Sequence, residues 1–174
     1  MAITGGTSLQ VALETFIYTP IRQPELLPTL LPIIIGGIVI ELYFGRFTHE
    51  ELGWNTAVGN AIIWITTGAN LLINSNLSAG EEKAAYSLIG IGAIVGYMDF
   101  YHKWPDTIAF IVSSSGIVYT LAYITVIFVK TDLGVTPDTL RGAAVFFLAV
   151  QILFKLFQGF ETTADSGGSE VSFE

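Results

Sequence analysis

Five stretches of this chain stay apolar for as long as a helix needs to cross a bilayer: residues 26–44, 54–73, 84–101, 105–130 and 137–157. A spanning helix takes roughly 17–25 such residues, since each adds about 1.5 Å and the hydrocarbon core is about 30 Å thick. The gaps between the runs are short (45–53, 74–83, 102–104 and 131–136), so each helix is forced antiparallel to the next and no soluble domain is inserted. The expected fold is an all-α membrane protein. A bundle of about five transmembrane helices over residues 26–160 follows a short amphipathic interfacial helix within 1–25, and an acidic disordered tail, 161–174, closes the chain.

Composition agrees. Of 174 residues, 52% are hydrophobic and only 13% charged, about half the ~25% charge of an average soluble protein. That leaves too little polar surface to coat a soluble globule of this size. There is no cysteine, which removes disulfides, thiol nucleophiles and thiolate metal sites. His49 and His102 lie far apart without metal-ligand spacing, so no metal is expected. Seven Lys and Arg against fifteen Asp and Glu give a net charge of −8, which excludes the basic footprint nucleic acid requires. Met1–Thr7 has no Lys or Arg, and the first long apolar run begins only near Leu26, so no cleaved signal is expected.

The ends of the helices are well marked. In Ser8–Thr19, Leu9, Leu13, Phe16 and Ile17 share one helical face, and Gln10 with Glu14 occupy another. This segment is too short to span. It reads as a helix lying in the interface, with packing against the bundle as the alternative. Pro20, Pro24, Pro28 and Pro32 recur every four residues, which argues against a continuous helix from Pro20 onward. A first spanning helix kinked at Pro32, starting near Pro28 and running through Glu41 toward Phe47, fits the length needed. Pro105-Asp106-Thr107 and Pro137-Asp138-Thr139 repeat one helix-start tripeptide, and Ser78-Ala79-Gly80-Glu81 fits a capping box.

Polar residues inside the spans are the candidates for function. Thr56, Asn60, Thr67 and Asn74 share a face of the second span with Asn70 near its edge, forming either a hydrophilic pathway or a set of interhelical hydrogen bonds. Glu41 sits among apolar neighbours and needs a mate. Arg46 and Asn60 of the next helix are the nearest offers, and partial burial against the second span is expected. Asp99, amid Tyr97, Phe100, Tyr101 and Trp104, reads as a solvated interfacial pair with Lys103. Gln151 and Lys155 form a second polar pair at i, i+4. Gly92 and Gly96 form a GxxxG packing face, and Ser113, Gly116 and Thr120 a second small-residue face on the fourth span.

No nucleophile elbow, phosphate loop or dinucleotide fingerprint occurs, so neither a cofactor nor an enzymatic reaction is expected. The expected function is a structural or assembly role in a cell or viral membrane, with the lipid bilayer and further copies or other membrane proteins as partners. The sparse Lys and Arg and the acidic tail are compatible with a halophilic archaeon or its virus. The rival is a channel or ion-coupled transporter subunit that uses Glu41 and the polar face of the second span.

Overall fold

The computed structural model describes residues 8–46, 53–74, 76–131 and 133–165, with side chains described as far as Gly159. These form helices α1 (Leu9–Arg22), α2 (Leu27–Arg46), α3 (Trp54–Ile73), α4 (Ala79–Phe100), α5 (Asp106–Val112), α6 (Ser115–Lys130) and α7 (Pro137–Asp165). A single 3-10 turn, Pro24–Leu26, joins α1 to α2, and there is no strand among the described residues.

Four segments are long and apolar enough to cross a membrane: Pro24–Arg46, Trp54–Ile73, Asp106–Lys130 and Pro137–Gly159. The expected five spans are thus met in four by length and composition. The remaining run is helix α4, whose 22 residues have the length but include Glu81, Glu82, Lys83 and Asp99. A further difference concerns Asp106–Lys130, which is two helices, α5 and α6, rather than one. At the other end of the chain, α7 runs on to Asp165, past the expected start of the tail. Residues 166–174, the rest of that tail, lie outside the described residues, as do Met1–Thr7.

Helix α6 is the centre of the bundle. It touches α1, α2, α3, α4 and α7, and Val118, Ala122, Val126 and Ile127 have no exposed surface. Around it the outward faces are apolar: Ile35 and Val39 of α2, Ile91 and Ile94 of α4, and Leu148 and Ile152 of α7 are all exposed. A soluble monomer rarely shows so much apolar surface.

In lipid no hydrophobic force draws helices together, so close van der Waals contact and hydrogen bonds have to hold them. Glycine makes that contact here. A Cβ on Gly92 of α4 would come within 3.0 Å of the Ala61 carbonyl of α3, and one on Gly68 of α3 within 2.7 Å of the Ala85 carbonyl of α4. The GxxxG face is therefore spent inside the subunit, on α3. Gly45 of α2 meets the Gln158 backbone of α7 in the same way, at 2.6 Å.

Helix α1 packs on the bundle against α7 and α6, the alternative to an interfacial position. Its buried face is Ala12, Phe16 and Thr19, while Leu9 and Ile17 of the expected apolar face point outward. Phe16 stacks on Phe146 with ring centroids 5.3 Å apart. The helix passes Pro20 and ends at Arg22, so no continuous helix joins the four prolines, as expected. Pro20 has no N–H to give the Phe16 carbonyl, and the Tyr123 hydroxyl of α6 donates to that carbonyl at 2.7 Å instead. Farther on, Pro24 opens the 3-10 turn, and Pro32 alone lies deep in α2, as the spacing suggests.

The capping box on α4 is formed: the Ser78 N–H donates to Glu81 Oε2 at 2.6 Å, and the Glu81 N–H to Ser78 Oγ at 3.5 Å. The Ser78 backbone N–H, and secondarily its hydroxyl, hold the Glu81 carboxyl below its ordinary range. This contribution is present at neutral pH and lost as pH falls through the lowered value. At α7 the reciprocal cap comes from Thr136 and Thr139. Asp138, expected to cap, pairs with Arg141 at 3.1 Å on the surface.

The glycine contacts generate a test. Gly92→Leu should lower thermal stability in detergent by about 1–3 kcal/mol, the usual cost of overpacking. Gly90→Leu, where a Cβ meets nothing within 4 Å, should leave the melting temperature unchanged.

Candidate functional site

The sequence Ser113-Ser114-Ser115-Gly116 interrupts the fourth span. Serine hydroxyls compete for backbone partners and glycine is a poor helix former, so four in a row make a weak point. There α5 ends with Ser113 as its C-cap, Ser114 turns extended (ψ 142°), and α6 begins at Ser115. A break of this kind at membrane depth survives only where protein or a water-filled cavity takes up the freed groups.

The bundle supplies those groups from four neighbouring helices. Asn60 Nδ2 of α3 donates to the Ser113 carbonyl at 2.8 Å, covering the C-terminal end of α5. Asp99 of α4, with no exposed surface, accepts from Ser113 Oγ at 2.6 Å and from Trp104 Nε1 at 2.7 Å. Glu41 of α2, 5% exposed, accepts from Ser115 Oγ at 2.5 Å and from Gln158 Nε2 of α7 at 2.7 Å. Two buried carboxylates thus flank one break, each held by the serine on its own side. Gln151 Nε2 of α7 adds bonds to the Gly116 carbonyl at 3.1 Å and to Thr120 Oγ1 at 3.2 Å.

A turn at the end of α4 brings Trp104 onto Asp99. The Lys103 N–H reaches the Met98 carbonyl at 2.8 Å and the His102 N–H the Asp99 carbonyl at 3.2 Å, the double bond pattern of a Schellman end. Its left-handed position, usually glycine, is held by His102 with φ 51°. The strain there is offset by the imidazole stacking on Trp54 at 4.0 Å.

Several expectations are corrected here. Asp99 is buried and bonded to Ser113 and Trp104 rather than paired with Lys103 in solvent, because the Schellman turn carries Lys103 outward. Glu41 is buried as expected, but it faces α6 and α7 instead of the second span, and Asn60 serves the backbone at the break. Gln151 turns to α6, leaving Lys155 to donate to Gln158 Oε1 at 3.0 Å. The face of Ser113, Gly116 and Thr120 does receive a close neighbour, since a Cβ on Gly116 would lie 2.6 Å from Gln151 Oε1. Ser115 and Gln158 carry no signal of this role in the sequence, because partners on distant helices leave no spacing there.

The remaining candidates lie toward the other end of the bundle. Thr67 is buried, and Asn70 accepts from Thr29 of α2 at 3.4 Å.

A cavity of about 200 Å3 opens beside the break, lined by Glu41, Ser114, Ser115, Gly116, Gln151 and Lys155 among others. Gln151 Oε1 makes no hydrogen bond among the described residues. With the Glu41 carboxyl it gives the wall side-chain oxygens of the kind hard cations take, though fewer than the roughly six that complete a shell. No three His, Asp or Glu side chains come together among the described residues. Lys155 reaches Glu41 indirectly, through Gln158, so the carboxylate has a nearby counter-charge.

The class of molecule follows from these features: an all-helical bundle compatible with a multi-pass membrane protein, with a broken helix and two buried carboxylates near one end. Comparison of the chain with protein-family models, curated proteins and solved structures finds no match.

Asn60→Leu should cost roughly 1–3 kcal/mol, the penalty for a buried carbonyl left without its donor. Ser114→Ala removes a hydroxyl bonded to no described residue and should cost far less. Thermal unfolding of both variants in one detergent measures the difference.

Proposed function

We propose that this chain is a five-span, non-enzymatic membrane protein that takes up cations at the broken helix, as a channel or ion-coupled transporter subunit. The observation that carries this reading is the Glu41 carboxylate in the wall of a cavity beside the interruption between α5 and α6. Ionisable groups at membrane depth are costly and mark ion pathways more often than packing. Discontinuous helices place backbone ends and carboxylates where a dehydrating ion needs oxygen ligands. Glu41 would supply the charge and Gln151 Oε1 a neutral oxygen, with Lys155 serving as the internal counter-ion when the site is empty. Five helices enclose only a thin pore, so the reading includes assembly of several copies.

The fifth span of this reading is α4. It lies antiparallel along α3, with Ala85 beside Gly68, Gly92 beside Trp64 and Gly96 beside Ala61. A helix aligned with a spanning helix over that length crosses the same depth. Its outward Ile91, Ile94 and Tyr97 suit lipid.

A structural or assembly role is the second reading. It is favoured by one feature: no fully enclosed side-chain nitrogen or oxygen lacks a partner among the described residues. The polar cluster would then only stabilise the bend.

Two experiments test these statements. In proteoliposomes the wild type should carry a cation flux that Glu41→Gln abolishes; absence of flux favours the structural reading, and flux equal in both overturns the assignment of the pathway to Glu41. The chain has no cysteine, so Asn76→Cys and Lys103→Cys can be labelled without background. They should react with an impermeant thiol reagent from opposite sides of the membrane, and reaction from one side would remove α4 as a span.

A further inference from the structure

A second cavity of about 200 Å3 lies between α2, α3 and α6, toward the end of the bundle away from Glu41. Its wall includes Pro28, Thr29, Thr67, Asn70 and Tyr119. Thr67 and Tyr119 are each 7% exposed, and neither hydroxyl has a hydrogen-bond partner among the described residues. No fully enclosed side-chain oxygen lacks a partner among the described residues, so these two unbonded hydroxyls open onto free space and can take up a hydrogen-bonding solute. Both residues line this cavity, and Tyr119 also borders a larger apolar cavity between α1, α2, α6 and α7. The Tyr119 hydroxyl lies against Gly36, 3.3 Å from where a Cβ would stand. Gly36 shares a helical face with Thr29, Pro32 and Ile33, all three of which line the same cavity.

The rest of the wall adds hydrogen-bonding capacity. Pro32 has no N–H to offer the Pro28 carbonyl, so proline spacing leaves an acceptor in α2. Thr29 reaches Asn70 Oδ1 only at 3.4 Å, a long bond that a better partner can replace. No charged side chain lines the space. Placing an ion here would incur the full cost of desolvation without a counter-charge.

We propose that this cavity is a binding site for a small uncharged solute that both donates and accepts hydrogen bonds, of the chemical class of a short polyol or a primary amide. Thr67 and Tyr119 are the groups that recognise it. The volume is several times the ~30 Å3 share of a water molecule, which sets the size of the solute at a few heavy atoms. The site stands apart from the cation reading, because none of Glu41, Ser115, Gln151 or Gln158 contributes to it.

Saturation-transfer NMR on the whole detergent-solubilised chain tests it, with glycerol and acetamide as separate millimolar probes. At least one probe should receive magnetisation from the wild type. Thr67→Val and Tyr119→Phe each keep the shape and remove one hydroxyl. Each should weaken the effect several-fold, and the double variant about tenfold or more, at unchanged melting temperature. Thr125→Val, whose hydroxyl serves its own helix, should behave as wild type. Glu41→Gln should also leave the effect intact, which separates this site from the cation site. Transfer to neither probe in the wild type would mean the cavity holds water alone and would overturn the proposal. So would transfer that persists in the double variant.

Discussion

The fold turns on one constraint: a backbone N–H or C=O at membrane depth is costly unless it finds a partner in the protein or in a cavity. The helices meet it alone except where the chain departs from helical geometry. Pro20 frees the Phe16 carbonyl, and the Tyr123 hydroxyl comes to it. The serine run frees the Ser113 carbonyl, and Asn60 comes to it. Each departure thereby ties two helices together, α1 to α6 in one case and α3 to the α5–α6 junction in the other. The defects in regular structure are also the specific cross-links of the fold.

The same reasoning explains why α6 is central. It is the helix that begins at the break, so its first turn needs neighbours on several sides. Glu41 from α2 meets Ser115, and Gln151 from α7 meets Gly116 and Thr120. Trp64 from α3 donates to the Val118 carbonyl at 2.9 Å. These bonds fix the rotation of α6, and the apolar packing of Val118, Ala122, Val126 and Ile127 follows from it. Glycines then set how near the outer helices come: Gly92 and Gly68 between α3 and α4, Gly45 between α2 and α7.

The polar residues divide between two places. Asn60, Asp99, Glu41 and Gln151 gather at the break near one end, and Thr67 with Asn70 line a separate cavity near the other. The stripe on α3 therefore serves two sites. Its helical spacing put Asn60 and Thr67 on one face, but about two turns apart along the axis they meet different neighbours.

The sequence by itself determined the helical class, four apolar segments long enough to span, and the capping box at Ser78, because these depend on local composition and on spacing along one helix. It also singled out Glu41, Asn60, Thr67, Asn70, Asp99 and Gln151, since polar groups in apolar runs stand out wherever they fold. Tertiary structure alone decided their partners. Asp99 lies four residues from Lys103 yet bonds Ser113, and Glu41 bonds Gln158 on the last helix. Whether Ser113–Gly116 would bend or stay helical was likewise decided by the neighbours. An interrupted span is stable only if other helices bring donors and acceptors to it, and the rotation of those helices is set by contacts among residues far apart in the chain.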